Sequence, residues 1–206
     1  MSGKIILLSG FWLAAICAGS FVLLGYQNKA GESNTAPTAW PTQSKLPRPA
    51  NLPTLLLFAH PHCPCTRATV GELALVMARC SSKVSAVVLF TKPVDVDDNW
   101  VETDLWRSAE AIPGVIVRRD DSGIEARRFG AVSSGDSMLY GRDGKLLFRG
   151  GITDGRGHAG DNEGRSAIVS FLEGKPGGTS RTHVFGCRLF DSHSVQPSQP
   201  ICPRQP

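Results

Sequence analysis

Residues 52–78, LPTLLLFAHPHCPCTRATVGELALVMA, decide how this chain folds. The branched apolar run Leu55-Leu56-Leu57-Phe58-Ala59 predicts a buried strand, and Val70, Leu73, Ala74 and Met77 recur at the spacing of one helix face. Cys63 and Cys65 therefore fall at a strand-to-helix corner. Pro64 suits a first helical turn, where its missing N–H has no partner to lose and its φ is preset, which puts Cys63 at or just before the cap. A helix start offers free N–H groups and the positive end of the dipole. It favours a thiolate over a thiol, and the thiolate is both the nucleophile and the metal ligand.

Toward the C-terminus, residues 84–90 (VSAVVLF) predict a second strand and complete a β-α-β unit. An acidic stretch at 95–99 leads into a helix over 100–111 that carries Trp106 toward the core. Pro113-Gly114 breaks it, residues 115–118 (VIVR) read as a strand, residues 120–123 (DDSG) as a turn or helix start, and 124–130 as a short helix. Residues 138–140 and 145–149 flank Gly141-Arg142-Asp143-Gly144, whose Asp-Gly signals a hairpin. The loop 150–164, GGITDGRGHAGDNEG, has the spacing of neither a phosphate loop nor a calcium loop. Asn162 is placed to cap a last helix through Leu172, with Gly174 ending it.

Toward the N-terminus, residues 5–24 carry no charge and match the ~20 helical residues that span ~30 Å of hydrocarbon. The expectation is an uncleaved membrane anchor with the folded part extracytoplasmic. A signal peptide is the alternative, although its apolar region is usually only ~7–15 residues and no good small-residue cleavage site follows. Residues 27–51, with Pro37, Pro41, Pro47 and Pro49, predict an extended spacer. The expected division is thus residues 1–26 as anchor or uncleaved signal, 27–51 as linker, 52–174 as one folded domain, and 175–206 as a C-terminal extension. A chain of 206 residues with 41% hydrophobic content supports one such core. A net charge of +4 from scattered Lys and Arg argues against nucleic acid as a partner.

This order of strand, cysteine corner, helix, strand, helix, hairpin and final helix resembles the thioredoxin-like superfamily over about residues 52–172. It is most similar to membrane-anchored extracytoplasmic thiol-disulfide oxidoreductases of the cytochrome c maturation type. The resemblance implies an α/β thioredoxin-like fold, with a central mixed β-sheet flanked by helices. It also implies a redox pair at Cys63 and Cys65, a protein thiol or disulfide as partner, no cofactor, and a periplasmic domain. Three positions depart from the family pattern. Cys63-Pro64-Cys65 has one intervening residue where the family has two, His62 replaces an aromatic residue, and Gly135 stands where a cis-proline lining the substrate-thiol groove is expected.

Cys63, nearer the helix start, is the expected nucleophile and Cys65 the resolving thiol. A disulfide between residues so close in sequence is strained and easily reduced. In such a fold the glycine-rich loop lies near the corner, so Arg156, His158 and Asp161 are candidates to border the site. His158 is the candidate to exchange a proton with Cys63, and His62 adjoins that cysteine. Cys80 sits roughly 20 Å along the helix from Cys65 and reads as a buried structural thiol. Cys187 and Cys202 either form a disulfide in the tail, or Cys187 folds back as a second resolving thiol for Cys63; sequence does not fix connectivity.

A rival reading takes His60, His62, Cys63 and Cys65 as ligands for a copper or zinc ion in a thioredoxin-fold metallochaperone, helped by His158 or His183. Soft thiolates with imidazole suit either metal, although the spacing fits no established zinc pattern. A third reading is an interaction domain without chemistry, since fold alone does not confer it.

Overall fold

The computed structural model describes residues 2–175 and 178–190. Its elements in chain order are α1 (Ser2–Gln27), β1 (Thr54–Ala59), α2 (Thr66–Cys80), β2 (Ser85–Lys92), a 3-10 turn (Asp98–Trp100), α3 (Asp104–Glu110), β3 (Val115–Asp121), α4 (Ile124–Phe129), β4 (Asp136–Tyr140), β5 (Leu146–Gly150) and α5 (Glu163–Glu173). The five strands form one mixed sheet in the order β3-β2-β1-β4-β5. The pairs β1–β2 and β2–β3 are parallel, whereas β1–β4 and β4–β5 are antiparallel.

The centre of the sheet is where the apolar run at 55–59 belongs. A strand covered on both faces needs apolar residues at every position, not at alternate ones. Leu55, Leu57 and Ala59 pack with Leu73, Val76 and Met77 of α2, Leu105 of α3 and Ile168 of α5. Leu56 and Phe58 face the other way, onto Ala126 and Phe129 of α4. The corner after β1 is therefore fixed to a strand that solvent does not reach.

Two expected boundaries move. The strand after Gly114 continues through Asp121, and the Asp120 carboxylate accepts the backbone N–H of Glu125 (2.9 Å) and Ala126 (2.8 Å), capping α4 from within β3. The expected helix over 100–111 is split into the 3-10 turn and α3. At the hairpin, Gly144 N–H closes the turn onto Gly141 O at 2.8 Å. Asn162 caps α5 by accepting the Arg165 N–H at 2.7 Å, and Gly174 ends it in the left-handed region.

The proline-rich segment does not stand off as a spacer. It docks on the face of the sheet that carries α4. Trp40 meets Phe129 and Tyr140 edge-on at 5.1 and 5.3 Å, and Tyr140 Oη donates to Pro37 O. Trp40 N–H donates to Gly144 O at 2.8 Å and Leu146 N–H to Thr38 O at 2.9 Å, so the segment also borders the hairpin. Prolines that cannot join a helix are compatible with this extended course over a surface. The C-terminal extension packs as well. Residues 180–183 run parallel to the end of β5, and residues 187–189 then run antiparallel to residues 132–134. Residues 191–206 lie outside the description, and with them Cys202 and the expected Cys187–Cys202 disulfide.

Helix α1 is apolar all round and exposed along its length, with Ile5, Leu8, Phe11, Trp12 and Phe21 open. An 18-residue window within Gly3–Gln27 has a mean hydropathy of 2.2, and the helix is long and apolar enough to cross a membrane.

Candidate functional site

The corner between β1 and α2 is tied down before any chemistry is considered. His60 N–H donates to Ser134 Oγ at 2.8 Å, which joins the end of β1 to the loop before β4. Cys63 N–H returns to His60 O, and Thr66 and Arg67 N–H reach Cys63 O and Pro64 O, so a tight turn leads into the helix. The helix proper starts at Thr66 with Cys65 at the cap, which places Cys63 two residues ahead of that cap. On the outer side Thr103 Oγ1 donates to Pro61 O, and Arg67 pairs with Asp104.

Cys63 has 0% of its surface exposed. Its sulfur is the focus of several donors. The Cys63 thiol donates to the Cys187 sulfur at 3.1 Å and Cys187 N–H donates back at 3.4 Å; when Cys63 ionises, the Cys187 thiol and Thr66 become donors to its sulfur. Burial alone pushes the Cys63 pKa up, but these hydrogen bonds from Thr66 and Cys187 outweigh it, and the net shift is below the ordinary thiol value of 9.0. Thr66 Oγ1 is also 2.6 Å from Ser134 Oγ. The assignment that gives every proton an acceptor has Ser134 taking the His60 N–H and donating to Thr66, which donates to Cys63.

The neighbouring thiols are held protonated. Burial and the charge on Cys63 raise the pKa of Cys65. Burial, the hydrogen bond to Cys63 and the charges of Cys63 and Cys65 push Cys187 up to about 12. Arg156 pulls both downward. Its guanidinium is fixed by Lys29 O and Gly186 O, at 3.2 and 3.0 Å, and stacks over Tyr26. The site is one thiol of lowered pKa, two thiols of raised pKa and one buttressed cation.

The loop 150–164 reaches this region because Glu72, buried on α2, holds its far end. The Glu72 carboxylate accepts from Gly160 N–H (2.8 Å), Asn162 Nδ2 (3.2 Å) and Arg165. Of the loop residues expected to border the site, Arg156 is the one whose charge acts on the cysteines. His158 closes a backbone turn onto Gly155 O, and Asp161 pairs with Arg165. His62 Nε2 is 3.0 Å from Trp100 O, and the rings of His60 and His62 lie 5.5 and 4.5 Å from that of Trp100. Among the described residues no group of three or more His, Cys, Asp or Glu is arranged to hold a metal ion. Gly135 has φ +92°, a conformation that favours glycine, and its N–H donates to Phe58 O at 2.7 Å. Thr66 and Ser134 were not anticipated. A Thr beside a helix-start cysteine was the one visible hint of a local donor.

Thr66→Val, which keeps the shape and removes the hydroxyl, is expected to raise the Cys63 pKa by about 1–2 units. A hydrogen bond to a charged group is worth about 1.5–3 kcal/mol, and one unit is about 1.4. Thiolate absorbance followed against pH checks this, and an unmoved titration step would remove Thr66 from the site.

No protein-family description and no curated protein matches the chain. Solved structures do. A hypothetical protein from Sinorhizobium meliloti 1021 superposes with a TM-score of 0.60 at 21% identity, covering 78% of this chain and 97% of its own. An uncharacterized conserved protein from Geobacillus kaustophilus gives 0.54 at 19% identity, covering 79% and 92%. A secreted disulfide oxidoreductase of Mycobacterium tuberculosis gives 0.45 at 17%, covering 60% and 82%. The first two are likenesses of fold. With its mixed five-stranded sheet and flanking helices, the chain has the thioredoxin-like fold.

Proposed function

We propose that this protein is a thiol-disulfide oxidoreductase acting on protein thiols or disulfides outside the cytoplasm, in the periplasm, and held to the membrane by residues 5–24. The observation that carries the reading is Cys63: a buried sulfur whose pKa is lowered by converging donors, beside a second thiol at Cys65. A low-pKa thiolate with an adjacent resolving thiol is what disulfide exchange requires.

The Cys63 thiolate attacks one sulfur of a substrate disulfide. The substrate S–S bond breaks, a mixed disulfide forms, and the displaced substrate sulfur leaves as a thiolate. Cys65 passes its proton to that released thiolate, then attacks the Cys63 sulfur and displaces the second substrate thiolate. Two electrons have passed from the cysteine pair to the substrate, and the reverse sequence oxidises a substrate dithiol. Arg156 lowers the cost of the Cys65 thiolate as it forms.

Cys63→Ser is expected to reduce disulfide exchange with a model protein disulfide by at least about a hundredfold, as loss of a covalent nucleophile does. The full chain in detergent, assayed for reduction of that substrate at a series of glutathione potentials, provides the test. Undiminished exchange by the Cys63→Ser protein would show that the chemistry lies elsewhere.

A further inference from the structure

The expected partner of Cys63 is Cys65, yet the sulfur that hydrogen-bonds to Cys63 at 3.1 Å is that of Cys187, 124 residues away in sequence. A disulfide needs ~2.05 Å between sulfurs, so a shift of about 1 Å joins this pair. The position of Cys187 is held by its whole segment. Ser134 N–H donates to Cys187 O at 2.8 Å, Leu189 N–H to Val132 O at 2.9 Å, and Gly31 N–H to Val184 O at 2.7 Å. Arg156 Nη1 holds Gly186 O. Gly186 itself passes so close to the loop before β4 that a Cβ there would lie 1.8 Å from Ser134 O, so only glycine fits beside the cysteine.

We propose that Cys187 is a redox-active thiol of this site, forming with Cys63 a disulfide that latches residues 184–190 across the corner. The inference rests on the oxidoreductase reading and changes which thiol takes Cys63 first.

The exchange balances without any further reactant. The Cys63 thiolate breaks the substrate disulfide and becomes a mixed disulfide, losing its charge. Two of the influences that raise the Cys187 pKa, its hydrogen bond to the Cys63 sulfur and the Cys63 charge, then disappear, and Arg156 remains to favour the Cys187 thiolate. Cys187 passes its proton to the departing substrate thiolate and attacks the Cys63 sulfur. The Cys63–substrate bond breaks, the Cys63–Cys187 bond forms, and the substrate leaves reduced by two electrons. Cys65 can later attack Cys63 and release Cys187, an exchange of partners with no net change in oxidation.

The test uses the full chain in detergent, equilibrated with reduced and oxidised glutathione, trapped by alkylation and mapped by mass spectrometry without reduction. The expected oxidised form contains a Cys63–Cys187 peptide pair. Gly186→Val, which keeps all the cysteines but pushes the tail off Ser134, should lose that pair. It should also raise the alkylation rate of Cys63 by about tenfold or more, as local opening exposes a buried group. Cys187→Ser should lose the pair without needing the tail displaced. Oxidised wild-type protein that carries Cys63–Cys65 and yields no Cys63–Cys187 pair at any potential would overturn the latch and leave the oxidoreductase reading intact. If Cys63 forms neither disulfide at any potential, both readings fail together.

Discussion

Arg149→Met is expected to lower the stability of the domain by about 3–5 kcal/mol, the usual consequence of leaving one partner of a buried ion pair without the other. In a thermal melt this reads as a fall of roughly 10 °C or more for a chain of this length. The Arg149 side chain on β5 is 7% exposed and Asp136 on β4 only 1%, with the guanidinium 2.8 Å from the carboxylate. The same guanidinium donates to Gly130 O at 2.8 Å and to Asn34 O at 2.5 Å. It thus satisfies the end of α4 and fastens the proline-rich segment. Methionine replaces the aliphatic stem but leaves a carboxylate and two carbonyls without their donor. Adding Asp136→Leu should recover much of the loss, because a hydrophobic pair of similar volume removes the stranded charge. If the double variant melts no higher than the single one, the ion pair is not the source of the effect.

Removing residues 1–27 should leave the midpoint of the domain nearly unchanged, whereas removing residues 1–51 should cost it about 3–6 kcal/mol. The second truncation uncovers the aromatic face that Trp40 and Leu46 close over Phe129 and Tyr140. Each large side chain so buried is worth about 1.5–3 kcal/mol. It also strips Tyr140 Oη of its acceptor at Pro37 and the hairpin of two backbone hydrogen bonds. Melts of the two truncations under the same reducing conditions decide the matter. Equal midpoints would mean that the segment rests on the surface without stabilising it.

The central strand and the helix after the corner were legible because a continuous apolar run and a helical period are local signals. A run of five apolar residues at 55–59 fits only where both faces are covered. Glu72 was not singled out, although it falls among Val70, Leu73 and Val76 on the inward face, where a buried acid needs partners. The docking of residues 28–51 was not legible, since a proline-rich stretch has no period to read and Trp40 finds its aromatic neighbours about 90 to 100 positions later. Nor was Ser134, a serine before a strand with nothing in its flanks to mark its contact with His60 and Thr66. The nearness of Cys187 to Cys63 depends on the glycine at 186 and on the backbone at 132–134. Sequence gave the tail two courses, and backbone packing favours the one that leads back to the corner.

Arg156 also makes a connection at the other end of the chain. Its backbone N–H donates to Gln27 O at the last residue of α1, and its guanidinium lies over Tyr26, so the thiols sit close beside the foot of the apolar helix. If that helix is embedded as proposed, the reactive sulfurs ride within the lipid headgroup layer, not on a free arm. Such an enzyme would search for its partners by lateral diffusion in two dimensions. It would favour cysteines carried by other membrane-bound chains at the same height over those of proteins passing in bulk solution.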